Sequence, residues 1–248
     1  MRVGWIEFYN TLPFKSAVLK KDFTIVKGVP SFINNLIYNG NVDIGIISSG
    51  EYIQHFDKYF ILPDISISSY KDVYSVVLVS DVPIEDIQYV CLSKDSKTSN
   101  FLIQVIFNKF FQRKIRFGFS DEFLKCGTVL IGNKALEYKN RYKYVYDLSK
   151  IWFSYTKLPF VFALWCVRKD FYEKHPQKVN IFKNKLKSSV KSFFKEEIST
   201  YPDNIKTYLE NLDFSLSKEH ILSLKLFSSY LHELNLIKDL PEFNFIKS

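Results

Sequence analysis

Short polar motifs that follow apolar, strand-like runs are the residues of this sequence best suited to bind a ligand. The first is Asn10-Thr11, which follows the apolar run from Val3 to Phe8 and precedes Pro13. An asparagine side chain both donates and accepts hydrogen bonds, and proline is favoured in the first turn of a helix. A strand that turns into a helix here puts an amide at the carboxyl end of a strand, where open α/β sheets bind ligands. An ordinary Asx turn is the alternative interpretation.

Two hydroxyl-rich segments have the same position relative to predicted strands. Ser48 and Ser49 follow the apolar run from Val42 to Ile47, and Thr98 and Ser99 precede a predicted helix. Hydroxyl groups and free backbone N–H groups at a helix start form a small anion site. Plain helix capping explains the same residues equally well. Ser75, at the start of a strand-like run, is a further hydroxyl that carries no signal alone.

Other classes of site have little support in the composition. The four histidines are scattered without cysteine or carboxylate partners at ligand spacing, so we expect neither a metal nor another cofactor. The three cysteines lie in apolar contexts typical of reduced thiols. The net charge of +8 would attract anions. The lysines between Lys169 and Lys195 alternate with apolar residues at helical spacing, which indicates a solvated helix face and not a nucleic-acid surface.

The predicted elements describe an α/β protein with two lobes. The first fifty residues indicate βαβαβ, and a second set of strands and helices begins at Tyr89. From Asp170 onward the pattern is helical. We therefore predict lobe one from 1–80, lobe two from 81–162, and a return to lobe one with a helical tail over 163–248. Two chain crossings, near Leu78–Val82 and Phe162–Val167, would form a hinge, and the polar motifs would face the cleft between the lobes.

No apolar run is long enough to span a bilayer, and no leader precedes the first strand. The expectation is therefore a cytoplasmic protein that does not bind membranes.

Eight short motifs occur in one order along residues 2–168: Asn-Thr-Leu-Pro, Gly-Val-Pro-Ser, Ser-Ser-x-Glu-Tyr, Leu-Pro-Asp-Ile-Ser-Ile-Ser-Ser, Ser-Val-x-Leu-x-Ser, Ile-Gly-x-x-Ala-Leu, Tyr-Asp-Leu-x-x-x-Trp and Leu-Pro-Phe-Val-Phe-Ala-Leu-Trp. Each is weak alone, but the ordered set resembles the chorismate dehydratase family of the futalosine route to menaquinone. The usual Ile-Gly-Asp of that family reads Ile-Gly-Asn at Asn133, so an acidic role at that position is in doubt.

The resemblance implies the two-lobed fold of type 2 periplasmic binding proteins and the conversion of chorismate to 3-[(1-carboxyvinyl)oxy]benzoate. It implies catalytic roles for Asn10 and Ser75, and substrate binding by five hydroxyl side chains: Thr11, Ser48, Ser49, Thr98 and Ser99. Chorismate carries two carboxylates, which suits the two predicted anion sites.

A dehydration also needs a base. Glu51 and Asp64 are the carboxylates nearest to the motifs, and we expect structural roles for both. The hypothesis is that the substrate's own side-chain carboxylate takes the proton.

Three alternatives stay open. The first is 1,4-dihydroxy-6-naphthoate synthase, a sister enzyme of the same route, against which the Ser-Ser-x-Glu-Tyr and Phe-Val-Phe-Ala-Leu-Trp stretches argue. The second is a non-catalytic solute-binding protein, which would bind a ligand without turnover. The third is the effector-binding half of a transcription regulator, for which no helix-turn-helix segment is evident. The sequence does not determine the oligomeric state.

Overall fold

Two five-stranded sheets with helices packed around them form the architecture. The computed structural model describes residues 1–19, 22–120 and 124–247. The strands within these residues, in chain order, are β1 (Arg2–Ile6), β2 (Thr24–Gly28), β3 (Ile44–Ser48), β4 (Tyr59–Ser69), β5 (Val76–Ser80), β6 (Tyr89–Cys91), β7 (Arg116–Gly118), β8 (Cys126–Ile131), β9 (Tyr144–Asp147) and β10 (Phe160–Arg168). The first sheet has the order β2-β1-β3-β10-β4 and the second β7-β6-β8-β5-β9. The α/β class predicted from the sequence is therefore confirmed.

Helices occupy most connections and most of the chain between Lys169 and Glu233. The α-helices are α1 (Lys15–Val18), α2 (Pro30–Tyr38), α3 (Ser49–Gln54), α4 (Lys97–Val105), α5 (Gly132–Tyr138), α6 (Leu148–Thr156), α7 (Lys169–Lys174), α8 (Pro176–Ser192), α9 (Asp203–Glu210) and α10 (Lys218–Glu233). Short 3₁₀ segments span Tyr9–Phe14, Ile84–Asp86, Lys139–Arg141 and Ile198–Thr200, and π turns span Ile106–Phe110 and Phe193–Glu197.

The first lobe follows the predicted βαβαβ pattern. Strand β1 pairs in parallel with both β2 and β3, and every residue of β3 is buried. Helix α2 starts with Pro30 in its first turn, where a proline sacrifices no hydrogen bond. The carboxyl ends of β1 and β3 lead directly into the Asn10 and Ser48 segments, so the strands fix where those side chains lie.

The chain crosses between the sheets earlier than predicted. Strand β5 pairs with β8 and β9 in the second sheet, whereas β10 pairs with β3 and β4 in the first. The crossings therefore lie in residues 70–75 and 157–159, and not near Leu78–Val82 and Phe162–Val167. An apolar run shows that a strand is buried but not which sheet it joins, so the pattern alone could not set the lobe boundaries at 80 and 162.

Strand β4 is one element, although the sequence around Pro63 suggests two. Asp64 has a φ of 67°, and the register with β10 shifts between Leu164 and Cys166. This irregularity in the ladder is a bulge, which accommodates the proline without ending the strand.

The C-terminal segments cover the outer edge of β4. Ser68 exchanges backbone hydrogen bonds with Asp213 in both directions, at 2.9 and 2.8 Å, and Ile61 does the same with Asn244 and Ile246 at 2.7 and 3.0 Å. Exposed sheet edges invite pairing with other chains, so the helical tail completes the first lobe.

His220 is a buried residue that ties this tail to β4. Its Nε2 lies 2.8 Å from Ser68 Oγ, and its Nδ1 accepts the backbone N–H of Ser217 at 3.2 Å. Because that N–H can only donate, the neutral ring carries its proton on Nε2. A second proton on Nδ1 would break the contact with Ser217 at the start of α10.

We predict that His220 makes the protein less stable in mild acid. Burial lowers the pKa of His220 from its usual value of 6.5, and the nearby Asp213 and Glu219 carboxylates offset this only in part. The unfolded chain therefore takes up a proton below about pH 6.5 that the folded protein does not, and the free energy of unfolding falls as the pH decreases. In urea unfolding at pH 7.5 and 5.5, the stability gap between wild type and His220→Gln should narrow at the lower pH. A gap that is constant with pH would contradict this.

Candidate active site

A cavity between the two sheets collects most of the predicted site residues. Six of the seven line it, namely Asn10, Thr11, Ser48, Ser75, Thr98 and Ser99, and Ser96 adds a further hydroxyl. The rest of its surface is mainly apolar, including Phe8, Ile131 and Phe162. The enclosed space measures about 60 Å³, whereas pockets for small organic ligands measure roughly 300 Å³ or more. A ring compound therefore needs the lobes to separate before it can enter.

Asn10 supplies an unsatisfied acceptor at this cavity. Its Oδ1 is buried and has no hydrogen-bond partner among the residues that the structure describes. A buried polar atom without a partner costs roughly 1–3 kcal/mol. Such atoms are rare in folded proteins, and a ligand that donates a hydrogen bond is one explanation for them.

Thr11, next to Asn10, has a structural role in its own turn. Its Oγ1 lies 2.7 Å from the Ile6 carbonyl oxygen and 2.8 Å from the Phe8 carbonyl oxygen, so its proton is shared between the two. A hydroxyl has only one proton, so Thr11 has none left for a ligand. Its hydroxyl holds the turn that carries Asn10.

Ser48 lines the cavity, but Ser49 does not. The Ser48 hydroxyl accepts hydrogen bonds from Asn34 Nδ2 at 3.0 Å and from the Glu51 N–H at 3.2 Å. The Ser49 hydroxyl donates to the Val161 carbonyl at 2.8 Å. The geometry therefore gives no support to the predicted contact of Ser49 with substrate, because its proton is used by the backbone of β10.

The second predicted anion site, at Thr98 and Ser99, contacts the segment that follows Ser48 and Ser49 across the cleft. Thr98 Oγ1 accepts the backbone N–H of Gly50 at 2.7 Å. Ser99 lies at the start of α4, where its N–H donates to the capping Ser96 hydroxyl at 3.2 Å and the two hydroxyls are 2.9 Å apart. The backbone N–H groups of Gly50 and Ser99 are thus already hydrogen-bonded within the protein and are not free to bind an anion.

Ser75 has a partner that sequence reasoning missed. The Tyr208 hydroxyl, from α9 in the helical tail, donates to Ser75 Oγ at 2.9 Å. Burial raises the pKa of Tyr208 far above its usual value, so it stays protonated and keeps donating. In the sequence, Tyr208 is one apolar-face position of an amphipathic helix, so no local signal distinguishes it from a core residue.

Comparison with known proteins identifies the family. The sequence profile of a family described as menaquinone biosynthesis matches residues 1–233. A protein from Thermus thermophilus named chorismate dehydratase is 29% identical over 189 residues, which cover 68% of this chain and 70% of the relative. A protein of the same name from Campylobacter jejuni is 31% identical over 182 residues, covering 68% and 69%. The chain belongs to the chorismate dehydratase family of menaquinone biosynthesis. The resemblance inferred from the eight motifs is confirmed.

Solved structures support the fold assignment of this family member. The periplasmic aliphatic sulphonate-binding protein SsuA of Escherichia coli superposes with a TM-score of 0.67 at 12% identity, covering 98% of this chain and 95% of that one. A ligand-binding component of an ABC import system from Staphylococcus aureus gives 0.68 at 8% identity, covering 100% and 96%. The predicted periplasmic-binding-protein-like fold is confirmed.

The departure from the family's Ile-Gly-Asp motif keeps an oxygen acceptor in the site. Asn133 Oδ1 accepts the backbone N–H of Tyr9 at 3.3 Å, which joins the second lobe to the turn that carries Asn10. The preceding Gly132 has a φ of 58°, and a Cβ there would lie 2.7 Å from the ring of Phe8. Gly132 therefore shapes the wall of the cavity, and the contact of Asn133 to Tyr9 behind it needs no negative charge.

No charged side chain lines the cavity in the part of the chain that is described. Glu51 is buried nearby, but Lys97 Nζ lies 3.3 Å from its Oε2 and the Tyr59 hydroxyl donates to its Oε1 at 3.3 Å. Asp64 is exposed and pairs with Lys187 at 2.9 Å. Within residues 1–19, 22–120 and 124–247, no cluster of three or more metal-binding side chains occurs and no helix is long and apolar enough to cross a bilayer.

We predict that the hydrogen bond between Thr98 and Gly50 protects the interface between the lobes. Thr98→Val should leave the Gly50 N–H without its acceptor, which costs about 1–3 kcal/mol in a buried position. Hydrogen exchange of the segment around Gly50 should then become about tenfold faster or more. Thr98→Ser retains the hydroxyl and serves as the control. Equal exchange rates in the valine and serine variants would show that the contact does not stabilise the closed arrangement.

Proposed function

We propose that this protein is a cytoplasmic chorismate dehydratase, which converts chorismate to 3-[(1-carboxyvinyl)oxy]benzoate and water in the futalosine route. The observation that carries the proposal is the buried Oδ1 of Asn10, which has no partner among the described residues, in a cavity lined by hydroxyl groups. Chorismate offers the hydroxyl group that this acceptor lacks. The family membership selects chorismate among ring compounds that carry a hydroxyl and carboxylates.

The reaction removes a ring proton and a neighbouring hydroxyl. The proton is on the carbon that bears the ether oxygen, and it is vinylogous to the ring carboxylate. Its removal leaves a pair of electrons that delocalises toward that carboxylate as a dienolate. Loss of hydroxide from the adjacent carbon then gives the aromatic ring, and the proton and hydroxide together account for the water released.

Asn10 and Ser75 act on the leaving hydroxyl in this proposal. Asn10 Oδ1 accepts a hydrogen bond from this hydroxyl and so orients the carbon–oxygen bond that breaks. Ser75 accepts from Tyr208 at 2.9 Å, which leaves its own proton to donate to the departing oxygen. Such a preorganised donor stabilises negative charge as it develops.

Hydroxyl and N–H donors bind the substrate's carboxylates. Ser48 from the first lobe and Thr98 and Ser99 from the second all line the cavity. Thr11 contributes by holding the turn that carries Asn10.

The base is the substrate's own side-chain carboxylate. No aspartate, glutamate, histidine or lysine lines the cavity among the described residues. Serine and threonine hydroxyls are poor bases without an activating partner. The enolpyruvyl carboxylate is attached through the ether to the carbon that loses its proton, so it can reach that proton within the same molecule. Closure of the lobes excludes water, which strengthens the few polar contacts in the site.

We predict that Asn10→Ala and Ser75→Ala lose chorismate turnover while staying folded. Loss of an orienting contact can cost on the order of a hundredfold in rate. Turnover is measured by the ultraviolet spectrum and mass of the product. Ser154→Ala is the control, because Ser154 is exposed and its hydroxyl donates to the Ile151 carbonyl of its own helix. Near-normal turnover in both site variants would remove these residues from the mechanism. Binding of chorismate by wild type without turnover would favour a solute-binding function.

We also predict that Glu51→Gln and Asp64→Asn retain substantial turnover. Glu51 is engaged by Lys97 and Tyr59 outside the cavity wall, and Asp64 lies on the surface beside Lys187. Rates within about tenfold of wild type are expected, since neither removes a contact to the reacting atoms. Thermal melts establish that each variant is folded. If either variant abolishes catalysis while chorismate still binds, the protein supplies the base and the substrate-assisted mechanism is wrong.

A further inference from the structure

The hydroxyl of Ser48 is surrounded by groups that can only donate. Asn34 Nδ2 lies 3.0 Å from Ser48 Oγ, and the Glu51 N–H lies 3.2 Å from it. A hydroxyl has two lone pairs and one proton. Both lone pairs accept from nitrogen donors, so the proton of Ser48 must point in a third direction.

The amide of Asn34 is held in one orientation. Its Oδ1 accepts the backbone N–H of Ser48 at 3.2 Å. Because a backbone N–H only donates, the amide oxygen must face it, and the NH₂ group must face the Ser48 hydroxyl. The side chain of Asn34, in the middle of α2, is 4% exposed. The amide therefore cannot flip without breaking two buried hydrogen bonds.

The free direction of the Ser48 proton is toward the cavity. Ser48 lines the cavity, and its hydroxyl donates no hydrogen bond to any described residue. A carboxylate accepts hydrogen bonds but does not donate them. Because the Ser48 hydroxyl can only donate, it favours an anionic ligand group over a group that is itself a hydrogen-bond donor.

We propose that Asn34 is a positioning residue that acts through Ser48 and keeps the Ser48 hydroxyl as a donor to a substrate carboxylate. Asn34 does not line the cavity wall formed around Asn10 and Ser75. The identity of the carboxylate rests on the proposed function, but the direction of the Ser48 proton does not. Since no cation lines this wall among the described residues, an aligned neutral donor contributes to affinity here.

The test is Asn34→Asp, which changes one amide nitrogen to oxygen at almost constant shape. The new oxygen accepts from Ser48, so the proton turns away from the cavity. The KM for chorismate should rise about tenfold or more, because a hydrogen bond to a charged group is lost. The kcat should change less, because the contact is made to bound substrate and transition state alike. Asn34→Ala frees one lone pair of Ser48 without supplying an acceptor, so its KM should lie between those of wild type and Asn34→Asp.

Two controls separate this mechanism from a general effect of charge. Asn35→Asp makes the same change at the next, exposed position of α2, and its KM should stay near that of wild type. In a Ser48→Ala background, Asn34→Asp should raise the KM less than threefold if Asn34 acts through Ser48. An unchanged KM in both Asn34 variants, or an equal effect of Asn34→Asp with and without Ser48, would overturn the proposal.

A measurement without substrate distinguishes failure of this inference from failure of the proposed function. Neutron diffraction from crystals exchanged into D₂O shows the deuteron of the Ser48 hydroxyl directly. It should point into the cavity in wild type and toward residue 34 in Asn34→Asp. A deuteron that points elsewhere in wild type overturns the inference even if chorismate is turned over. If chorismate is not turned over but the deuteron lies as expected, only the choice of substrate is wrong.

Discussion

The hydrogen bond from the Gly50 N–H to Thr98 Oγ1 joins the two lobes at the edge of the cavity, and the geometry of the site depends on it. Asn10 and Ser48 come from the first lobe, whereas Ser75 and Thr98 come from the second or its crossing. A Cβ at Gly50 would lie 3.0 Å from Thr98 Oγ1, so glycine permits this close approach. The polar groups converge only when the lobes meet, which agrees with a cavity too small for a ring compound in the closed arrangement.

The absence of charged side chains from the described cavity wall has two consequences for a dianionic substrate. Removing a carboxylate from water is costly unless several hydrogen bonds replace the hydration shell, and in the proposed mechanism those bonds come from hydroxyl and N–H groups. An arginine or lysine beside the carboxylate would bind it more strongly but would also lower its pKa and weaken it as a base. In the proposed mechanism, neutral donors such as Ser48 therefore bind the substrate without removing the basicity of its side-chain carboxylate.

The sequence predicted the location of those candidate site residues that lie at the ends of strands or at the start of a helix. The turns after β1 and β3 and the start of α4 were all located from apolar runs followed by polar residues, because strand and cap chemistry are local. The crossings were misplaced because the apolar run of β5 does not reveal its partners. Tyr208 and Ser75 are separated by 133 positions, and no periodicity reports such a contact. Asn34 was missed for a related reason, since a buried asparagine on a helix gives no sign of the strand end that it faces.

The helical tail is part of the site as well as a cover for the edge of β4. Tyr208 reaches Ser75 from α9, and the segment before Ser75 is held from the other side by Asp147, whose Oδ2 accepts the Tyr74 N–H at 2.7 Å. Asp147 also caps α6, which gives a physical reason for the Tyr-Asp-Leu motif. Burial raises the pKa of Tyr208, so this donor stays protonated throughout the physiological pH range. Ser75 therefore has one lone pair occupied by Tyr208, and in the proposed mechanism its proton remains available for the leaving hydroxyl.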